Sequence, residues 1–137
     1  MPHVLGLLET ALYVEDLNRA AEFYRRVFEF GMLLESERLV ALDVAGKNVL
    51  LLFKSGATTD ANPTPGGVIP GHGSTGPSHF AFSIGKDELD HWRRRLNSHG
   101  VAVESEVTWN GGAASLYFRD PDGHLGELIT PGFWKIY

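Results

Sequence analysis

The chain has no cysteine. That removes a disulfide framework, a thiolate nucleophile and every zinc site built on sulfur. It also fits a reducing compartment, and a cytoplasmic protein is expected. Positive charge is in short supply: 12 Lys and Arg stand against 17 Asp and Glu, a net charge of −5. Nucleic acid is therefore not an expected partner, because phosphate binding needs a basic surface. The one basic cluster, Arg93-Arg94-Arg95, falls in a helical pattern and reads as a solvated face. No apolar run reaches membrane-spanning length. The opening MPHVLGLLET lacks a basic stretch and is broken by Gly6 and Glu9, so neither a secretory signal nor a membrane partner is expected.

What is present is a repeat. Glu9-Thr10-Ala11-Leu12-Tyr13-Val14 opens an alternating run, and a helical stretch from Leu17 to about Phe28 follows, with Asp16 placed to cap it. Strand-like segments come next at Met32–Ser36, Arg38–Val44 and Asn48–Lys54. His79-Phe80-Ala81-Phe82-Ser83-Ile84 opens the second copy. Its helix is expected from Asp87, as cap, to about His99, with Trp92 in its core and Gly100 ending it. Strands follow at Val101–Thr108, Ala113–Arg119 and His124–Thr130, with His124 expected at an exposed turn. The plan is α+β: two βαβββ modules forming a curved mixed sheet around a concave cavity. A chain of 137 residues with 43% apolar content supports one domain over 1–137. Module one covers about 5–54, a connecting loop 55–78, and module two 79–131.

In each first strand the apolar set, Leu12 and Val14 or Phe80 and Phe82, is expected to pack under the helix. The other set, Glu9, Ala11 and Tyr13 or His79, Ala81 and Ser83, then faces the cavity. Glu9 and His79 occupy equivalent positions, and both can bind a metal. The loop from Ser55 to Ser78 holds six glycines and four prolines with no clear period. It is too long for an idle connector, and a lid or a flexible tether are both open readings.

Three stretches carry a family resemblance: Ala11–Leu17 running into Ala21-Glu22-Phe23-Tyr24, then Ser78–Phe82, and above all Leu116-Tyr117-Phe118-Arg119-Asp120-Pro121-Asp122-Gly123-His124-Leu125-Gly126-Glu127-Leu128. The chain resembles the vicinal oxygen chelate superfamily, which includes glyoxalase I, extradiol dioxygenases, fosfomycin-resistance and bleomycin-resistance proteins. The resemblance covers nearly the whole chain. It implies one divalent metal ion held by Glu9, His79 and Glu127, with open positions for a substrate that chelates through adjacent oxygens. Glu9 stands where His or Gln is usual in the family. Two carboxylates and one imidazole suit Mn, Fe, Ni or Zn, and leave Mg possible.

The resemblance makes Glu127 one catalytic candidate; Tyr117 is the other, because it shares with Ser115 the strand face that looks into the cavity and could donate a proton. Tyr13, Ser115, Trp109 and Arg38 are candidates for contacts with a small-molecule substrate. A further glutamate that glyoxalase I carries is replaced by Leu51. Glu9 departs from the two histidines of extradiol dioxygenases, and fosfomycin enzymes also favour His there. The reaction class therefore stays open among lyase or isomerase chemistry, epoxide addition and dioxygenation. The rival reading is a metal-free protein that sequesters a drug or metabolite, as bleomycin-resistance proteins do. A homodimer is expected, with Trp134 and Tyr137 as candidates to cover exposed apolar surface.

Overall fold

The first alternating run becomes strand β1 (Glu9–Val14), in which Leu12 and Val14 are buried and Glu9 is exposed. In this computed structural model, which describes residues 1–137, helix α1 (Leu17–Phe28) follows. Asp16 caps α1, its carboxylate accepting from the Arg19 N–H at 3.0 Å. Such a cap contributes about 1 kcal/mol. Strands β2 (Gly31–Glu35), β3 (Leu39–Val44) and β4 (Asn48–Lys54) complete the copy. The sheet order is β1-β4-β3-β2, with β1 parallel to β4 and the other neighbours antiparallel. Ala20, Tyr24 and Val27 of α1 are buried, as are Leu12, Val40, Leu42, Leu50 and Leu52 on the strands. Each fully buried leucine of this kind contributes about 1.5–3 kcal/mol.

The long loop does not stay irregular. It forms a two-stranded hairpin, β5 (Asn62–Thr64) and β6 (Gly67–Ile69), and as far as Gly76 it belongs to the first of two units, Met1–Gly76. Strands of three residues are too short to print a period on the sequence, and Pro63 and Pro65 disguise them as breakers.

The second unit, Pro77–Tyr137, repeats the first. It runs β7 (His79–Ser83), α2 (Leu89–Ser98), β8 (Ser105–Thr108), β9 (Ala114–Arg119) and β10 (Leu125–Ile129), in the order β7-β10-β9-β8. Phe80, Leu96, Leu116, Phe118 and Leu128 are buried in it. The helix departs from expectation at its start. α2 begins at Leu89 with Glu88 in the cap position and no side-chain cap bond, so Asp87 lies one residue too early to serve. Trp92 is only half-buried, and Leu96 alone of α2 is fully buried. The helix ends as expected. Gly100 takes a φ of +72°, its N–H bonds Asn97 O at 3.0 Å, and Val101 N–H bonds Leu96 O at 2.8 Å. That pair of bonds uses the left-handed backbone that glycine adopts without strain.

Candidate functional site

The ladder of the second unit sets its polar face. Glu127 pairs with Ala81 on one side and Tyr117 on the other, while Leu125 pairs with His79. Because side chains alternate along a strand, Phe118, Leu116 and Leu128 turn to the core. His79, Tyr117, Ser115 and Glu127 share the opposite face. Glu127 is buried at 7% exposure, and a carboxylate so placed requires partners. Ser115 Oγ donates to Glu127 Oε2 at 2.5 Å. Trp109 Nε1–H donates in turn to Ser115 Oγ at 2.9 Å. The other carboxylate oxygen, Oε1, lies 3.2 Å from His79 Nε2.

The state of His79 follows from its second contact. Nδ1 is 2.9 Å from Leu125 O. A carbonyl only accepts, so Nδ1 carries the proton. In the neutral ring Nε2 then presents a lone pair to a carboxylate oxygen. Two electron-rich atoms at that spacing are held together by a proton or by a metal cation. Burial, and then the charge of Glu127, push the Tyr117 phenol above its ordinary value of 10.0, so it keeps its proton through the neutral range. The Tyr117 ring lies 6.3 Å from that of His79 between centroids.

The first unit carries the remaining candidates. Glu9 opens β1 and pairs with Val49, as His79 opens β7 and pairs with Leu125. Leu51 pairs with Ala11 as Glu127 pairs with Ala81, which identifies Leu51 as the register mate of Glu127. No three His, Asp or Glu side chains of the chain gather into one group; the pair brought together is His79 and Glu127. Tyr13 stacks on Phe53 with centroids 5.8 Å apart. Its hydroxyl is hydrogen-bonded to His72 Nδ1 at 2.6 Å. Arg38 Nε donates to Ala57 O at 3.2 Å, so this arginine holds the start of the long loop.

Two histidines make contacts that the sequence did not resolve. His72, a residue of the loop, packs edge-on against Phe53 at 4.7 Å. His124 is buried at 3% exposure rather than exposed in its turn, and its Nδ1 accepts from the Ser78 N–H at 2.9 Å. No local pattern announces either contact, since each joins residues far apart in the chain.

The loop closes on itself through two bonds. Thr58 Oγ1 donates to His72 O at 2.8 Å, and His72 N–H donates to Thr58 O at 2.8 Å. Residues 61–69 can therefore be replaced by a short turn without opening this clamp. Loop-closure entropy changes by only about 0.6 kcal/mol per doubling of length. If the hairpin is a lid, the shortened protein should keep its melting temperature and bind substrate more weakly. An unchanged KM would mark the hairpin as a tether and nothing more.

Residues 4–128 match the Glyoxalase/Bleomycin resistance protein/Dioxygenase superfamily. The metallothiol transferase FosB of Bacillus licheniformis is 31% identical over 128 residues, which span 93% of this chain and 76% of that protein. The crystal structure of lactoylglutathione lyase from Agrobacterium tumefaciens is 35% identical with a TM-score of 0.88, covering 96% of this chain and 98% of that one. The fosfomycin resistance protein FosX of Listeria monocytogenes, in a crystal structure complexed with Mn(II) and sulfate, is 25% identical with a TM-score of 0.70, covering 96% and 94%. No helix of the chain is long and apolar enough to cross a membrane. With one βαβββ plan written twice and the match running through both copies, the chain belongs to the glyoxalase/bleomycin resistance protein/dioxygenase superfamily.

Proposed function

We propose that this protein is a divalent-metal enzyme that converts a small oxygenated electrophile, with His79, Glu127 and Glu9 as the metal ligands. The observation that carries the reading is His79 Nε2 set 3.2 Å from Glu127 Oε1, with the ring held through Nδ1 by Leu125 O. That gap suits two ligands of one ion bonded at about 2.1 Å each. The Nδ1–H donated to a backbone carbonyl is the outer contact that orients a metal-binding imidazole. Glu9, the register mate of His79, is the candidate for the second carboxylate. Two carboxylates balance a divalent charge, and the imidazole favours Mn, Fe, Ni or Zn over Mg. A cation held there supplies Lewis acidity toward adjacent oxygens of the substrate.

The chain's own groups take the remaining roles. Glu127 neutralises charge and stays fixed by Ser115. Tyr117 keeps its proton and can donate a hydrogen bond to a substrate oxygen. The names of the transferase and of the lyase both point to thiol chemistry. The substrate class proposed is therefore an epoxide or 2-oxoaldehyde that reacts with a thiol. Exposed apolar side chains at both ends of the chain, such as Leu5 at 95% and Ile136 at 97%, favour a homodimer that covers them.

The test starts from protein purified without chelators. One metal per chain is expected, together with metal-dependent consumption of fosfomycin or of methylglyoxal in the presence of glutathione or cysteine, lost on chelation and restored by Mn(II). A metal-free protein that binds an aromatic cation and turns over neither compound would overturn the reading in favour of a sequestering module.

A further inference from the structure

We propose that Trp109 and Ser115 are positioning residues for Glu127 rather than substrate contacts, and that the indole N–H of Trp109 sets the direction of the one proton Ser115 can give. An indole N–H only donates. At 2.9 Å from Ser115 Oγ it occupies that oxygen as an acceptor. Ser115 is fully buried, at 0% exposure, so water does not compete for its hydroxyl. Its proton goes to Glu127 Oε2, 2.5 Å away. Oε2 is thereby engaged, and Oε1 is left facing His79 Nε2. Trp109 follows β8, Ser115 lies on β9, and the turn between them returns the chain through Gly111 and Gly112, whose φ angles are +93° and +90°. Trp109 N–H bonds Ala113 O at 2.7 Å, and its ring packs on Phe133 at 4.5 Å. The Trp109 backbone is thus fixed by its main-chain bond to Ala113, and its ring is fixed by the contact with Phe133.

The consequence for metal binding rests on the reading above of His79 and Glu127 as ligands. Without the indole donor Ser115 Oγ loses one of the contacts that fix its hydroxyl toward Glu127, and the carboxylate is aimed less firmly. Losses of about 10–100-fold in metal affinity are typical when an outer contact to a ligand is removed.

Two readouts separate the relay from the metal reading. In the metal-free full chain, a hydrogen-bonded Ser115 hydroxyl proton is expected in the proton NMR spectrum, absent from Ser115→Ala. It should move or vanish in Trp109→Phe. Mn(II) titration followed by electron paramagnetic resonance should show Trp109→Phe and Ser115→Ala weakened by about 10–100-fold, while Ser115→Thr, which restores a hydroxyl, stays near the parent. Phe133→Leu keeps the indole N–H and loses the ring contact, so it should also stay near the parent. A Trp109→Phe variant equal to the parent in both readouts overturns the proposal. So does a Phe133→Leu variant as weak as Trp109→Phe, since Trp109 would then act by packing. If the parent takes up no Mn(II), the metal reading fails, and the hydroxyl resonance alone decides the relay. A further measurement leaves Trp109 in place: Glu127→Gln should shift the Trp109 indole N–H resonance through Ser115, and an unmoved resonance overturns the relay.

Discussion

Replacing His79 by alanine is expected to abolish turnover and to lower Mn(II) affinity by more than about 100-fold, beyond the range for removing an outer contact. The fold should survive the change. The His79 side chain is 52% exposed, and its hydrogen bond to Leu125 O is an exposed one. Little apolar area is lost with it, so the melting temperature should hold. Only the nitrogen facing Glu127 is removed with a specific consequence. Metal content by elemental analysis, Mn(II) titration and a thermal melt on the same preparation check all three points. A His79→Ala protein that retains its metal and its turnover would sink the proposed ligand set.

Gly126→Ala should produce the largest loss of stability of any single methyl added to the second unit. A Cβ on Gly126 would stand 2.2 Å from Cζ of Phe118 and 2.6 Å from two further ring carbons. The constraint is space rather than backbone strain, because Gly126 is not among the positive-φ glycines. Phe118 cannot easily yield. It is fully buried and meets Phe80 edge-on at 6.1 Å. β10 must shift instead, and it is pinned between β7 and β9. Overpacking of this kind costs about 1–3 kcal/mol. A fall of several degrees in melting temperature should follow. Glu127 is the next residue, so metal affinity should fall along with stability. Gly31→Ala is the control, since the nearest atom to its Cβ is 4.0 Å away. A Gly126→Ala protein that melts like the parent would mean that the Phe118 ring has room to move.

The strands of the two modules and α1 were legible because their signals are local, although the expected strand from Val101 begins only at Ser105. Leu12 and Val14 alternate with Glu9 and Tyr13 over six residues, and a strand has no other way to bury two of them on one face. Asp16 caps through a residue three positions on. Gly100 takes its left-handed turn beside the helix it ends. The equivalence of Glu9 and His79 could be read for the same reason, because one local plan was written twice.

Other features depended on partners distant in sequence. The short helix α2 is a case in between: a start shifted by one residue moved Asp87 out of the cap position, a difference too small for the pattern to resolve. Residue types and their periods thus pointed, without any structure, to the two modules, the faces of their strands and the equivalence of Glu9 and His79, while Glu127 entered through the family resemblance. Tertiary structure alone decided which of those atoms meet and in what state. His79 turns Nε2 toward Glu127 because the carbonyl of Leu125, 46 positions away, takes the proton on its other nitrogen. Ser115 gives its proton to Glu127 because the Trp109 N–H, returned by a tight turn, occupies its oxygen. His72 reaches Tyr13 from 59 positions away. Hydrogen-bond direction and protonation are properties of contacts, and a contact across strands exists only once the strands have paired.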